Sequence, residues 1–290
     1  MKRWGVLSLG LVFALVLITG CGSAKDQTAA STNPPSGAAE STPASAAPAS
    51  QAPAGEQTLL DKVKASGKLK IGTEGTYAPF TYHDDAGKLT GFDIEIAEEV
   101  TKRLGVKPEF VETEWDSIIA GLDAERFDVI FNEVGINDDR KAKFDFSDPY
   151  IVSKAVLIVK DNNADIKGFA DLKGKKAGQS LTSNLADIAR TNGAEIVATE
   201  GFNQAIDLLV AGRIDATVND GLSFLDLKKQ KPDLPLKVVA EDPNAASNAA
   251  LFKKGNEELV KAVNEALAVI KSDGTYLKIS EKYFGADVSK

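Results

Sequence analysis

The 290-residue sequence is short of the side chains that most catalytic and metal chemistry requires, with one cysteine, one histidine and one methionine. One imidazole and one thiol cannot assemble the usual ligand set of a zinc or iron centre, and no metal or other cofactor is expected. A lone cysteine also excludes an intrachain disulfide, so about 230 residues of folded chain must be held by ordinary burial. The sequence has no Gly-x-Gly-x-x-Gly, Gly-x-Ser-x-Gly or His-Glu-x-x-His. The stretch from Gly168 to Lys176 imitates a phosphate loop, but Gly174 comes one residue late and Lys176 stands where Ser or Thr should follow the lysine. His83 lies beside Asp84 and Asp85 and reads as a solvated turn residue. A formal net charge of −8 argues against nucleic acid or an anionic membrane surface as partner.

What is present begins at the N-terminus. Lys2 and Arg3 precede an apolar run from Val6 to Ile18, too short to span a bilayer, and Ile18-Thr19-Gly20-Cys21 follows as a lipobox. Residues 1–20 are therefore expected to be a lipoprotein signal peptide and Cys21 the acylated first residue of the mature chain. Two or more acyl chains give a stable anchor, which places the protein on the outer face of a cell membrane, most naturally of the Gram-positive type. Loss of Lys2 and Arg3 takes the net charge from −8 to −10. Residues 21–56, nearly all Ala, Ser, Thr, Pro, Gly and Gln, bury too little to fold and are expected to be a disordered tether.

From Leu59 onward short β-rich runs alternate with helical patterns. Lys68 to Gly72, Phe127 to Phe131, Lys176 to Gln179, Glu195 to Ala198 and Ala249 to Lys253 read as strands, and Phe92, Ile96, Val100 and Leu104 as one face of a helix stopped at Gly105. This alternation predicts an α/β architecture with mostly parallel sheets. The pattern restarts near Ser153, and the first half is too small to close its own sheet. Two lobes are expected, residues 57–151 with 245–290 and residues 152–244, joined by two hinge crossings around an interlobe ligand cleft.

Polar and aromatic residues gather at the predicted strand ends. Gly72 to Phe80 carries Glu74 and Tyr77, Thr113 to Asp116 presents Trp115, Val134 to Arg140 follows a buried strand, Gln179 to Asn184 enters a helix, and Val218 to Gly221 ends on Asp220. Arg140 offers a planar fork to a carboxylate, Ser183 and the N–H of Asn184 offer further donors, and Asp220 offers an acceptor to an ammonium. Tyr77 and Trp115 supply apolar walls. The inventory suits a zwitterion, although a strand-end Asp is often a helix cap, a lone Arg a surface ion pair and a Trp plain core.

The blocks Gly72 to Phe80, Gly91 to Glu95, Arg126 to Val129, Phe144 to Tyr150, Gly212 to Ala216 and Asp273 to Thr275 resemble, in order, those of the polar amino-acid family of extracellular solute-binding proteins, the receptors of ABC importers. The likeness covers Leu59 to Lys290 and is strongest to cystine-binding lipoproteins, through Glu74 to Tyr77, Gln179 to Asn184 and Phe284 to Lys290. It implies a two-lobed periplasmic-binding-protein-like (type II) fold, a monomer that captures an amino acid, cystine first, and an ABC permease as partner. It also implies that Arg140, Ser183 and Asn184 hold the α-carboxylate, with Ser180 and Thr182 in the same loop. Asp220 would hold the α-ammonium, Glu133 and Gly135 would contact ligand from the first lobe, Tyr77 and Trp115 would line its side chain, and Glu74 would read its polar end. Gly135 replaces a common Ser or Thr, and Glu133 replaces a neutral amide. With Glu74, Glu133 makes the pocket acidic, which suits a second ammonium in cystine, lysine or arginine. The alternatives are a receptor for basic or other polar amino acids, a dehydratase on the same fold using Glu74 or Glu133 as acid, and a sensor or adhesin lipoprotein.

Overall fold

The computed structural model describes residues 57–290, so the expected signal peptide, Cys21 and the whole of the expected tether, residues 21–56, lie outside the described residues. The described chain opens with helix α1 (Leu59–Ser66), capped by Thr58 and Asp61 in a reciprocal box, and strand β1 (Lys68–Thr73). A small antiparallel sheet of β2 (Thr76–Tyr77), β3 (Thr81–His83) and β4 (Leu89–Thr90) leads into α2 (Phe92–Leu104) and β5 (Lys107–Glu112). Then follow α3 (Trp115–Asp123), β6 (Val129–Ile130), α4 (Asp138–Lys143), β7 (Phe144–Phe146), β8 (Ile151–Ser153) and β9 (Ala155–Lys160). After β10 (Lys176–Gln179) come α5 (Asn184–Thr191), β11 (Glu195–Ala198), α6 (Phe202–Val210), β12 (Thr217–Asp220) and α7 (Gly221–Gln230). The chain finishes with β13 (Leu236–Glu241), β14 (Ala246–Asn248), β15 (Leu251–Lys253), α8 (Glu257–Ser272) and α9 (Thr275–Phe284).

Two main sheets result. The first has the order β5-β1-β6-β15-β7. In the second, β12-β9-β13 is joined to β10-β11 by a parallel bridge between Ala177 and Ala216. Each is covered on both faces by apolar side chains, Phe92, Phe131 and Tyr150 against Ile118 and Phe127 in the first, Leu157 and Val218 against Ile158 and Leu209 in the second. β8 and β14 pair antiparallel between the sheets, so the two crossings run side by side.

The expectation of mostly parallel sheets needs one correction. In each main sheet a single strand is reversed, β15 against β6 and β7, and β9 against β12 and β13. The reason is where the chain enters. β15 follows β14 and β9 follows β8, so both start at the hinge and must run away from it, while their neighbours end there. The stretch Ala249–Lys253, expected as one strand, begins only at Leu251, and the expected strand Phe127–Phe131 is confined to Val129–Ile130.

Gly91 sets the entry to α2. It adopts φ 132°, and a Cβ there would lie 2.2 Å from the Phe80 carbonyl oxygen, a backbone atom that cannot move aside cheaply. The close approach lets the Asp93 N–H reach that same oxygen at 2.9 Å, which seats Asp93 in the core. Gly91→Ala is expected to lose about 3 kcal/mol of stability from strain and overpacking, measured as the shift of the denaturant midpoint at constant slope.

Candidate functional site

Glu133 stands at the carboxyl end of β6 in the left-handed conformation, φ 48°, unusual for a side chain of its size. Its N–H is held by the Asp93 carboxylate at 2.6 Å, and Asp93 in turn accepts from the Tyr150 hydroxyl at 2.7 Å. That pair fixes the turn and points the Glu133 carboxylate between the lobes. Oε1 accepts from Asn248 on β14 at 2.8 Å, and Oε2 lies 3.3 Å from the Tyr77 hydroxyl. Asp220 comes from the other lobe, at the end of β12. Its Oδ1 caps α7 through the Leu222 N–H at 2.8 Å, and its Oδ2 accepts from Ser153 on β8. The Ser153 hydroxyl is 3.5 Å from Glu133, so both hinge strands tie the two acids together.

These residues border a cavity of about 100 Å³, several times the space one water requires. Of the residues expected from sequence, Glu74, Tyr77, Trp115, Glu133, Ser180, Ser183, Asn184 and Asp220 line it. Arg140, Gly135 and Thr182 are not among the lining residues, but Arg140 bonds to Asn184, which is. The buried Arg140 guanidinium lies 5.3 Å from the centre of the Trp115 ring and donates to the Gly135 carbonyl at 2.8 Å and to Asn184 Oδ1 at 3.3 Å. A Cβ on Gly135 would come within 3.1 Å of Asn184 and 3.3 Å of Asn248, so those amides fill the space a Ser or Thr would need. Ser183 caps α5 by accepting from the Leu185 N–H. His83 sits against the Gly75 carbonyl and Glu112, away from the cavity.

The lobes meet through polar contacts at the cavity rim. Asp116 accepts from the Leu181 N–H, the Thr182 N–H and the Thr182 hydroxyl at 2.9–3.0 Å. Tyr77 donates to Asn219 at 2.8 Å, Asn203 to the Thr76 carbonyl at 3.0 Å and Ser223 to the Ala78 carbonyl at 3.1 Å. The cleft is therefore closed.

The electrostatics are lopsided. Burial pushes the Glu133 carboxyl well above its ordinary value, and the charges of Asp220 and Asp93 push it further. Burial also raises Asp220, against the hydrogen bonds from Ser153 and Leu222. Glu74 is raised from 4.5 to about 7, chiefly by burial and partly by Asp116, while its hydrogen bond from Asn132 pulls the other way. Asp93 is likewise raised by burial from 3.8 to about 7. No ion pair among the described residues includes Glu74, Glu133, Asp220 or Arg140. The site thus holds carboxylates without a paired cation and a guanidinium without a paired carboxylate.

The family model for bacterial extracellular solute-binding proteins, family 3, matches residues 69–286. The chain belongs to that family. It is 50% identical over 229 residues to the L-cystine-binding protein TcyA of Bacillus subtilis, covering 79% of this chain and 85% of the relative. Among solved structures it is similar to an ancestral arginine-binding protein bound to arginine, with TM-score 0.71 and 40% identity, covering 75% of this chain and 98% of the other. The L-cystine solute receptor of Neisseria gonorrhoeae in the unliganded open conformation is 45% identical over 81% of this chain and 100% of its own, with TM-score 0.55. The lower score at higher identity fits a difference in lobe opening, since here the rim is hydrogen-bonded shut. Family membership makes this an extracellular solute-binding protein of the amino-acid ABC transporter class, with mixed α/β, two-lobed architecture. No helix among the described residues is long and apolar enough to cross a membrane.

Sequence reasoning missed Asp93, Asn132, Ser153, Thr199, Asn219 and Asn248. Thr199 and Asn219 carried a usable signal, since each sits at a strand end, as the residues that were found do. Ser153 and Asn248 belong to hinge strands too short to show a pattern.

The raised acids give a signed pH effect. Where a folded carboxyl titrates above its unfolded value, the native state binds more protons between the two, so stability falls as pH rises through that window. For Glu74 and Asp93 the window runs from their ordinary values to about 7. The ligand-free protein is expected to melt at a lower temperature at pH 8 than at pH 5.5, and Glu74→Gln to flatten that difference, as measured by circular dichroism.

Proposed function

We propose that this chain captures an amino acid between its lobes, L-cystine before others, and hands it to an ABC permease. The observation that carries this reading is the unmatched charge of the cleft. A zwitterion would supply an ammonium to Asp220 and Glu133 and a carboxylate to Arg140, removing both deficits together. Ser183, the Asn184 N–H, Ser180 and Thr182 would complete the carboxylate end, with the Gly135 carbonyl holding the Arg140 guanidinium in place. Tyr77 and Trp115 would bound the side chain. The preference for cystine is supported by what the similar receptors are named for and by a third acid, Glu74, for a second ammonium. A ligand held at both charged ends favours binding over turnover, so no enzymatic activity is proposed.

Delivery would follow from closure, in which ligand binds the closed state better than the open one. Residues 57–151 with 245–290 would move against residues 152–244 about the paired crossings. In this reading the mature protein is a monomer, tethered through acylated Cys21 and residues 22–56 to the outer face of a membrane, and it uses neither metal nor organic cofactor.

The deciding experiment is calorimetric titration of the protein, stripped of carried ligand by unfolding and refolding, with cystine, arginine, lysine and glutamine. Tight binding of cystine is expected. Preference for arginine or lysine would retain capture and change the solute. Arg140→Ala should weaken every amino-acid ligand by at least about 100-fold, the scale of leaving one member of a buried charge pair alone. Unchanged affinity in that variant would remove the zwitterion assignment.

Asp116 does not line the cavity, but it joins the lobes by three hydrogen bonds, two of them from Thr182 of the expected carboxylate-binding loop. Asp116→Ala is expected to speed ligand release about tenfold or more with little change in association, as read by stopped-flow fluorescence.

A further inference from the structure

Buried polar groups in folded proteins nearly always find a partner, and one left without costs about 1–3 kcal/mol. Among the described residues only two buried side-chain polar atoms have none, Trp115 Nε1 and Thr199 Oγ1. Their residues are 8% and 4% exposed, come from opposite lobes, and line the same cavity. Two independent deficits meeting in one space point to a ligand that meets both.

A third group belongs with them. Asn132, fully buried, accepts from the Glu74 N–H at 2.7 Å and donates to Glu74 Oε2 at 2.6 Å. Glu74 is thereby locked, and no hydrogen bond among the described residues reaches its Oε1. That oxygen lies 3.8 Å from where a Cβ on Gly201 would stand, two residues beyond Thr199. Glu74 from the first lobe and the Thr199–Gly201 segment of the second therefore face each other. Glu133 and Asp220, by contrast, are bound to each other's surroundings through Ser153 and do not contribute here.

The chemistry of the three groups is mixed. An indole N–H donates only, a threonine hydroxyl can donate or accept, and a carboxylate oxygen accepts. Two donors beside one acceptor match a carboxylate carried next to an ammonium. We propose that Trp115 Nε1, Thr199 Oγ1 and Glu74 Oε1 form a second amino-acid-head subsite, with Asn132 as the positioning residue that holds Glu74. The ligand class is then two amino-acid heads on a short linker. The linker meets walls such as Tyr77, Phe202 and Ala155, which offer apolar surface and no reader of a disulfide. Recognition falls on the heads. This subsite rests on the amino-acid capture proposed above.

The test titrates three probes into the refolded protein, L-cystine, L-cystathionine (two heads, no disulfide) and S-propyl-L-cysteine (one head). Both two-headed probes are expected to bind at least about 100-fold more tightly than the one-headed probe. Thr199→Val should weaken the two-headed probes about tenfold, the worth of one hydrogen bond to a charged group, and change the one-headed probe less than about twofold. Asn132→Leu should shift the same two-headed probes selectively, with Glu74→Gln as the milder variant if Asn132→Leu folds poorly. Equal weakening of all three probes, or none, would mean that water or plain packing satisfies these atoms and would overturn the subsite. Failure of the unmodified protein to bind any of the three or other amino acids would instead overturn the capture reading.

Discussion

The structure depends on keeping two carboxylates, Glu133 and Asp220, out of water with no cation bonded to them. Such a charge is tolerated only when neutral donors surround it or when it holds a proton. Here the donors come from three elements: Ser153 on β8, Asn248 on β14 and the Leu222 N–H at the start of α7. Glu133 is further held in a left-handed turn by Asp93, itself anchored by Tyr150. The hinge therefore serves two purposes through the same atoms. It connects the lobes, and it supplies the hydrogen bonds that make a negative cleft survivable.

This arrangement also explains why closure can be poised. The rim contacts are polar and few, centred on Asp116 with Leu181 and Thr182, Tyr77 with Asn219, Asn203 with Thr76 and Ser223 with Ala78. Each such bond is worth about 1 kcal/mol net, because the open form bonds to water instead. Against them stands the penalty of shutting like charges into a dry space. A solute that brings an ammonium reverses that penalty, and its differential affinity for the closed form drives the equilibrium.

The organisation of the fold was legible in the sequence because alternating β and α patterns leave strong local signals. Strands Lys176–Gln179 and Glu195–Ala198 begin and end where their composition says they should. The site was legible for a related reason: strand ends at a cleft carry the polar residues, and Glu74, Asp220 and Ser183 could be found by position alone. Direction and pairing were not legible. Nothing in Leu251–Lys253 or Ala155–Lys160 tells that each strand runs against its neighbours, since that follows from entry at the hinge. Nor does composition reveal that Glu133 sides with Asp220 while Glu74 stands apart with Asn132. That partition is made by contacts distant in sequence, Ser153 with Asp220 and Asn132 with Glu74.

The partition bears directly on which solute the cleft selects. A basic amino acid could match Asp220 and Arg140 with its head and Glu74 with its distal cation. It would still leave Trp115 Nε1 and Thr199 Oγ1 without an acceptor, and a site strands buried polar groups at a cost of orders of magnitude in affinity. A ligand ending in a neutral amide could offer its carbonyl to those donors but would bring no charge to Glu74. Only a second head that pairs a carboxylate with an ammonium answers all three groups at once. In the proposed subsite, specificity would be set less by the extra negative charge than by the two neutral groups beside it, because charge alone would admit lysine and arginine and the unpaired groups would penalise them.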